Sequence, residues 1–190
     1  TKVGIVYYDL VKRQIIKYEM AKGPHWLSLC LSLGWVGSHC LLMAYTHVAH
    51  DAVVGDHCVL ANNANIAGHV TVEDWVIIEG VVAVQQFVRI GQHAFVAGGS
   101  LVRKNVPPFV KVAREPLSYI GVNAIGLRRR GFPDEFVRAV EDIYRTLYIT
   151  GGNMSQALKV AELELPVSDA KETILDFIRA SDKGIVRGPF

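Results

Sequence analysis

Cysteine is scarce in this chain of 190 residues: Cys30, Cys40 and Cys58 are odd in number and too sparse for a disulfide framework. Such usage fits a reducing, cytoplasmic setting. Long apolar runs are missing too. The stretch Gly34 to His50 has no charged residue but holds three histidines, and the densest apolar run, Trp26 to Val36, is interrupted by Ser28, Ser32 and Gly34. Neither reads as a membrane span. An excess of one charge is also lacking, with 20 Lys and Arg against 18 Asp and Glu, and that balance argues against a nucleic-acid partner. No secretory pattern follows Thr1 and Lys2, so export is not expected. What is plentiful is apolar: 51% of the residues are hydrophobic, enough for a sizeable core, and this excludes a disordered chain.

Steps of six from Val36 reach Leu42, Val48, Val54, Leu60, Ile66, Val72, Ile78, Val84, Ile90, Val96 and Val102. All are aliphatic, a run expected by chance about once in 10⁵ to 10⁶ trials if roughly a third of positions are aliphatic. Four residues after each lies a small or β-branched residue, from Cys40, Thr46 and Ala52 through to Ser100 and Val106. One large and one small inward position per six residues is the pattern of hexapeptide β-helices. Three hexapeptides close one triangular coil of about 18 residues, so residues 36–107 predict about four coils, roughly 19 Å tall. Pro107-Pro108 is expected to end the ladder. Cys40 and Cys58 share one inward column and are predicted to be core filler rather than ligands or a bridge.

Residues 108–190 predict an α-helical domain, with helical spacing over Leu117–Arg130, Pro133–Thr150, Met154–Leu165 and Ser168–Asp182. Residues 1–35 carry no hexapeptide phase and form an unassigned leader. Within it Asp9–Met20 has helical character and Leu27–Leu33 alternates like a strand.

Positions 18 apart share an edge of the prism. The corners after Val48, Ile66 and Val84 therefore gather His47, His50, Asp51, His69, Gln85 and Gln86, with His50 in column with Gly68 and Asp51 in column with His69. The other edges look plainer. Two chemistries use such an edge. An imidazole can act as general base towards a hydroxyl, oriented by Asp51, while the Gly68 backbone N–H meets a developing oxyanion. Alternatively, His47, His50 and His69 bind zinc with an open position for water, as in a β-helical carbonic anhydrase. Past the coils, residues 103–130 hold seven basic residues against the single Glu115. Arg128, Arg129 and Arg130 are candidates for docking an acidic carrier protein.

The motifs His47-Val48-Ala49-His50-Asp51, Leu60-Ala61-Asn62-Asn63, Ala67-Gly68-His69-Val70, Gln86-Phe87, Val106-Pro107-Pro108-Phe109, Gly121-Val122-Asn123 and Gly126-Leu127-Arg128-Arg129-Arg130-Gly131-Phe132 together resemble the UDP-N-acetylglucosamine O-acyltransferases of lipid A biosynthesis. The resemblance covers residues 36–190. It implies a left-handed parallel β-helix that assembles as a homotrimer with active sites between prisms, needing no cofactor or metal. It further implies transfer of a hydroxyacyl chain from acyl carrier protein to the glucosamine 3-hydroxyl of UDP-N-acetylglucosamine. By the same resemblance His50 is the base, Asp51 its support and Gly68 the oxyanion donor. His47, His69, Gln85, Gln86 and Asn123 then position substrate, and Arg129 contacts a phosphate. Departures are Gln85 in place of the usual His, Ile125 in place of an acidic nucleotide contact, and Glu79 at a corner that is usually small. Residues 1–35 do not reproduce the coils that precede this region in the family. The chain is thus similar to the C-terminal portion of such an enzyme behind an atypical leader, and a non-catalytic trimeric binding protein of the same fold is the alternative.

Overall fold

The computed structural model describes residues 34–150 and 153–188, together with the strands Val6–Asp9, Gln14–Tyr18 and Cys30–Leu31. The hexapeptide reading is what the backbone does. Each aliphatic of the period ends a two-residue strand, from Trp35–Val36 to Leu101–Val102, and each strand pairs in parallel with the one 18 residues on. Three parallel sheets wall a prism of about four turns. None of the twelve aliphatics, nor the small partner four residues after each, is more than 4% exposed. Each buried Val, Leu or Ile contributes roughly 1.5–3 kcal/mol relative to the same side chain in water. Cys40 and Cys58 are free and buried in that core, as expected.

The corners turn on a left-handed residue. His39, Tyr45, Asp51, His57, Asn63, His69, Trp75, Val81, Phe87 and His93 all have φ between 56° and 64°. Asn, Asp and His tolerate this region better than most side chains, so turn chemistry alone recruits histidine to the edges. Glu79 is accommodated at its corner because its carboxylate accepts the Gly98 N–H at 2.9 Å.

Three expectations are corrected. Pro107-Pro108 does not end the solenoid: Val110–Ala113 pairs in parallel with Phe95–Val96, because the prolines fall at a corner where no ladder N–H is required. Residues 118–122 are not helical. Ser118–Val122 turns back antiparallel onto Val110–Ala113, a pairing suited to its Tyr, Ile and Val. Nor does Asp9–Met20 contain a helix in its described part, since Val6–Asp9 and Gln14–Tyr18 form an antiparallel hairpin that joins the first turn through Val6 and Leu42. The strand Cys30–Leu31 pairs with His47–Val48, but Leu31 rather than Cys30 faces Val48. A register one residue short of 18 hid this rung from the period.

Helices α1 (Ala124–Arg129), α2 (Asp134–Arg145), α3 (Met154–Glu164) and α4 (Asp169–Arg179) follow, with a wider π-type turn over Thr146–Thr150. Asn123, Asn153 and Ser168 cap three of them by accepting first-turn amides. Lys171 donates to the Glu162 and Leu165 carbonyls at the end of α3. Buried Tyr144 donates to the Pro108 carbonyl at 2.6 Å, tying α2 to the top of the prism. Among the described residues no helix is long and apolar enough to cross a membrane.

Candidate active site

The corner after Val48 places His50 and Asp51 side by side, and the left-handed backbone of Asp51 turns its carboxylate back onto the imidazole. His50 Nδ1 lies 2.9 Å from Asp51 Oδ2, with the two side chains 58% and 63% exposed. That hydrogen bond holds the Asp51 carboxyl below the usual carboxylate range, and the charge of His69 adds to the effect. An ionised carboxylate only accepts, so Nδ1 carries the ring proton and Nε2 keeps its lone pair.

One turn up, Gly68 faces the same ring. A Cβ built on Gly68 would stand 2.6 Å from His50 Cε1 and 2.7 Å from Nε2, so the ring rests where any other residue would put a side chain. The Gly68 amide donates to no acceptor among the described residues. His69 Nε2 is 3.9 Å from Asp51 Oδ2, and its ring meets that of His50 edge-on at 5.1 Å. Phe87, another turn up, stacks on His69 at 4.9 Å. The structure therefore brings His50, Asp51, Gly68 and His69 together, as their columns predict.

The other expected site residues separate. His47 is half-buried on the strand before the corner. Among the described residues, the group that can offer converging metal ligands is His50, Asp51 and His69, so the zinc set of His47, His50 and His69 is not the one assembled. Gln85 and Gln86 are exposed at the next corner. Lys183, unmarked by any motif, donates to the Gln86 carbonyl at 3.0 Å and lies over Phe87 at 4.9 Å. It arrives there because Gly184 and Val186 are pinned to the backbone of Asn105, so only long-range pairing reveals it.

Asn123 and the arginines sit at a different edge, the one after Val36, Val54, Val72 and Ile90. That edge is not plain: His39, His57, Trp75, His93 and Phe109 stack along it with ring separations of 4.1–6.1 Å. Asn123 is 4% exposed, accepts the Gly126 amide and donates to the His93 carbonyl at 2.9 Å. Arg130 donates to the Trp75 carbonyl, lies 5.4 Å over its ring and reaches His93 Nδ1 at 3.3 Å. Burial, reinforced by Arg130, pushes the His93 imidazole down to about 4. Arg128 pairs with Asp134 at 2.7 Å. Arg129 is exposed and forms no ion pair among the described residues. The three consecutive arginines thus do three different things, and only Arg129 presents an unneutralised exposed charge.

Residues 105–186 match the family profile described as UDP N-acetylglucosamine O-acyltransferase, domain 2, and residues 35–68 match the bacterial transferase hexapeptide repeat. An acyl-[acyl-carrier-protein]--UDP-N-acetylglucosamine O-acyltransferase of Pseudomonas syringae is 42% identical over 154 residues, which are 80% of this chain and 59% of that protein. The Stenotrophomonas maltophilia protein of the same name is 43% identical over 153 residues, 80% of this chain and 58% of that one. Residues 105–186 thus carry the second domain of the UDP-N-acetylglucosamine O-acyltransferase family.

Solved acyltransferase structures of the family agree. That of Bacteroides fragilis superposes with a TM-score of 0.76 at 43% identity, covering 78% of this chain and 58% of the other. That of Acinetobacter baumannii gives 0.75 at 36% identity, covering 80% and 59%. The chain spans about three-fifths of the length of the curated acyltransferases it matches.

Proposed function

We propose that this chain transfers a 3-hydroxyacyl group from acyl carrier protein to the 3-hydroxyl of UDP-N-acetylglucosamine, the opening step of lipid A biosynthesis, in the cytoplasm. The observation that carries the reading is the His50–Asp51 hydrogen bond with Gly68 against the same ring. His50 Nε2 takes the proton of the sugar hydroxyl as its oxygen attacks the thioester carbonyl. Asp51 stabilises the imidazolium that results, and the Gly68 N–H meets the oxyanion of the tetrahedral intermediate. When the intermediate collapses, the C–S bond breaks and the imidazolium returns its proton to the departing thiolate.

His47, His69, Gln85 and Gln86 are proposed to position the acyl donor and sugar, with Asn123 and Arg129 on the nucleotide or carrier side. The last two stand at another edge of the prism from His50, which supports a homotrimer with each site between neighbouring chains. Exposed Trp35, Val53 and Leu101 on the prism walls, with Tyr45 and Val81 at its corners, are apolar surface suited to that assembly. The prism, which runs on through Val110–Ala113, then acts as the catalytic part, and α1 to α4 form the carrier-docking helical domain.

The test is single-turnover transfer from hydroxyacyl carrier protein to UDP-N-acetylglucosamine, with trimer isolated by size and His50→Ala alongside. Transfer that depends on His50 sustains the reading. A well-folded trimer that binds the carrier and transfers nothing makes the chain a binding protein of the same fold.

A further inference from the structure

His50, Asp51 and His69 have a second property that proton transfer does not use. One ligand atom from each lies within 4.8 Å of the others, with His50 Nδ1 at 2.9 Å and His69 Nε2 at 3.9 Å from the same Asp51 oxygen. In a tetrahedral zinc site with bonds of about 2.0–2.1 Å, ligand atoms stand about 3.3 Å apart. The three groups bracket that spacing. Their exposed side chains can close the remainder by small rotations, while the left-handed backbone at Asp51 and His69 keeps the two corners in register. Two imidazoles and one carboxylate favour a borderline ion such as Zn²⁺ over the oxygen-seeking Mg²⁺ or Ca²⁺. Solvent supplies a fourth ligand on the open side, and Phe87 packed on His69 limits how far that ring can swing.

We propose that His50, Asp51 and His69 form a binding site for a divalent transition-metal ion of the zinc type, and that its occupation switches the base off. The switch is tautomeric. Metal on His50 Nδ1 displaces the ring proton to Nε2, so the nitrogen that must accept the hydroxyl proton becomes a donor. The same ion also takes Asp51 away from the imidazole. The metal is therefore an inhibitor of the chemistry described above, and this second clause rests on that reading; the binding site itself does not.

The experiment uses the full chain stripped with a chelator and titrated with Zn²⁺ alone by calorimetry, and with Co²⁺ followed by its visible ligand-field absorption. One ion per chain is expected, with affinity falling at least tenfold in each of His50→Ala, Asp51→Ala and His69→Ala. It should stay within twofold in the double variant His39→Ala/His57→Ala, whose histidines stack on another edge. Nitrogen-15 spectra of the His50 ring should show the proton moving from Nδ1 to Nε2 as Zn²⁺ is added. Undiminished binding in the His50 and His69 variants, or no binding by the parent chain at millimolar Zn²⁺, overturns the site. Zn²⁺ should abolish transfer and chelation should restore it; transfer that persists at saturating Zn²⁺ overturns the switch. If the metal-free parent chain transfers nothing while binding still needs the three residues, the acyltransferase reading fails and the metal site stands.

Discussion

The edge bearing His50 and the edge bearing His57 are made from one repeat, with imidazoles stacked turn upon turn, yet they have opposite surroundings. At the His57 edge the rings lie face to face, closed by Arg130 over Trp75 and by the burial of His93. At the His50 edge the ring leans on a glycine, holds a carboxylate and faces solvent. The difference lies in column. His39, His57, His69 and His93 occupy the left-handed corner position, which histidine tolerates well, so their presence needs no catalytic reason. His50 stands one residue earlier, in the column that Ser38, Ala44, Asp56, Asn62 and Gly68 fill. Among the described corner imidazoles it is the one that turn chemistry does not explain.

The sharpest test of that contrast is His50→Ala, expected to slow transfer by about 10² to 10⁴, the usual worth of a general base, with an unchanged melting temperature. A rate within a few-fold of the parent would erase the distinction between the edges. Next is the buried imidazole of the other edge. His93 titrates near 4 when folded, below the ordinary 6.5, so below pH 6.5 the unfolded chain binds the proton more readily. Stability should therefore fall as pH drops from about 6.5 to 4, by on the order of 3 kcal/mol, and His93→Gln should flatten that slope in denaturant titrations. Gly68→Ala comes third. Its methyl displaces the His50 ring, and a rate loss of about 30-fold, roughly 2 kcal/mol, should appear in kcat without a matching drop in stability. Smallest is His39→Ala, at the exposed end of the stacked edge, which should cost less than about 1 kcal/mol by thermal melt and leave transfer intact.

The parts of the site set by column were legible beforehand. His50 over Gly68 and Asp51 beside His69 follow from an 18-residue turn, because parallel rungs put identical column positions on top of one another. The stacked edge was equally regular and also carries glycines and carboxylates, Gly37, Gly55, Asp56 and Asp74, but there the rings of His39, His57, Trp75, His93 and Phe109 pack on one another. Asn123 and Lys183 were beyond reach of the pattern for another reason. Asn123 reaches the His93 carbonyl across 30 residues, and Lys183 reaches the Gln86 carbonyl across 97. Such contacts depend on how the helices and the last strand settle on the prism.

From the order of residues alone came the period of six, the buried columns, the four turns and the pairing of base with glycine. Each is a local rule repeated, enforced by the need to bury one face of every short strand. Tertiary structure decided the rest: that Ser118–Val122 folds back as a strand, that Arg128, Arg129 and Arg130 part company, and that burial keeps the His93 imidazole neutral. Those outcomes are set by burial and by charges brought from elsewhere in the chain, and neither acts until the helices have packed on the prism.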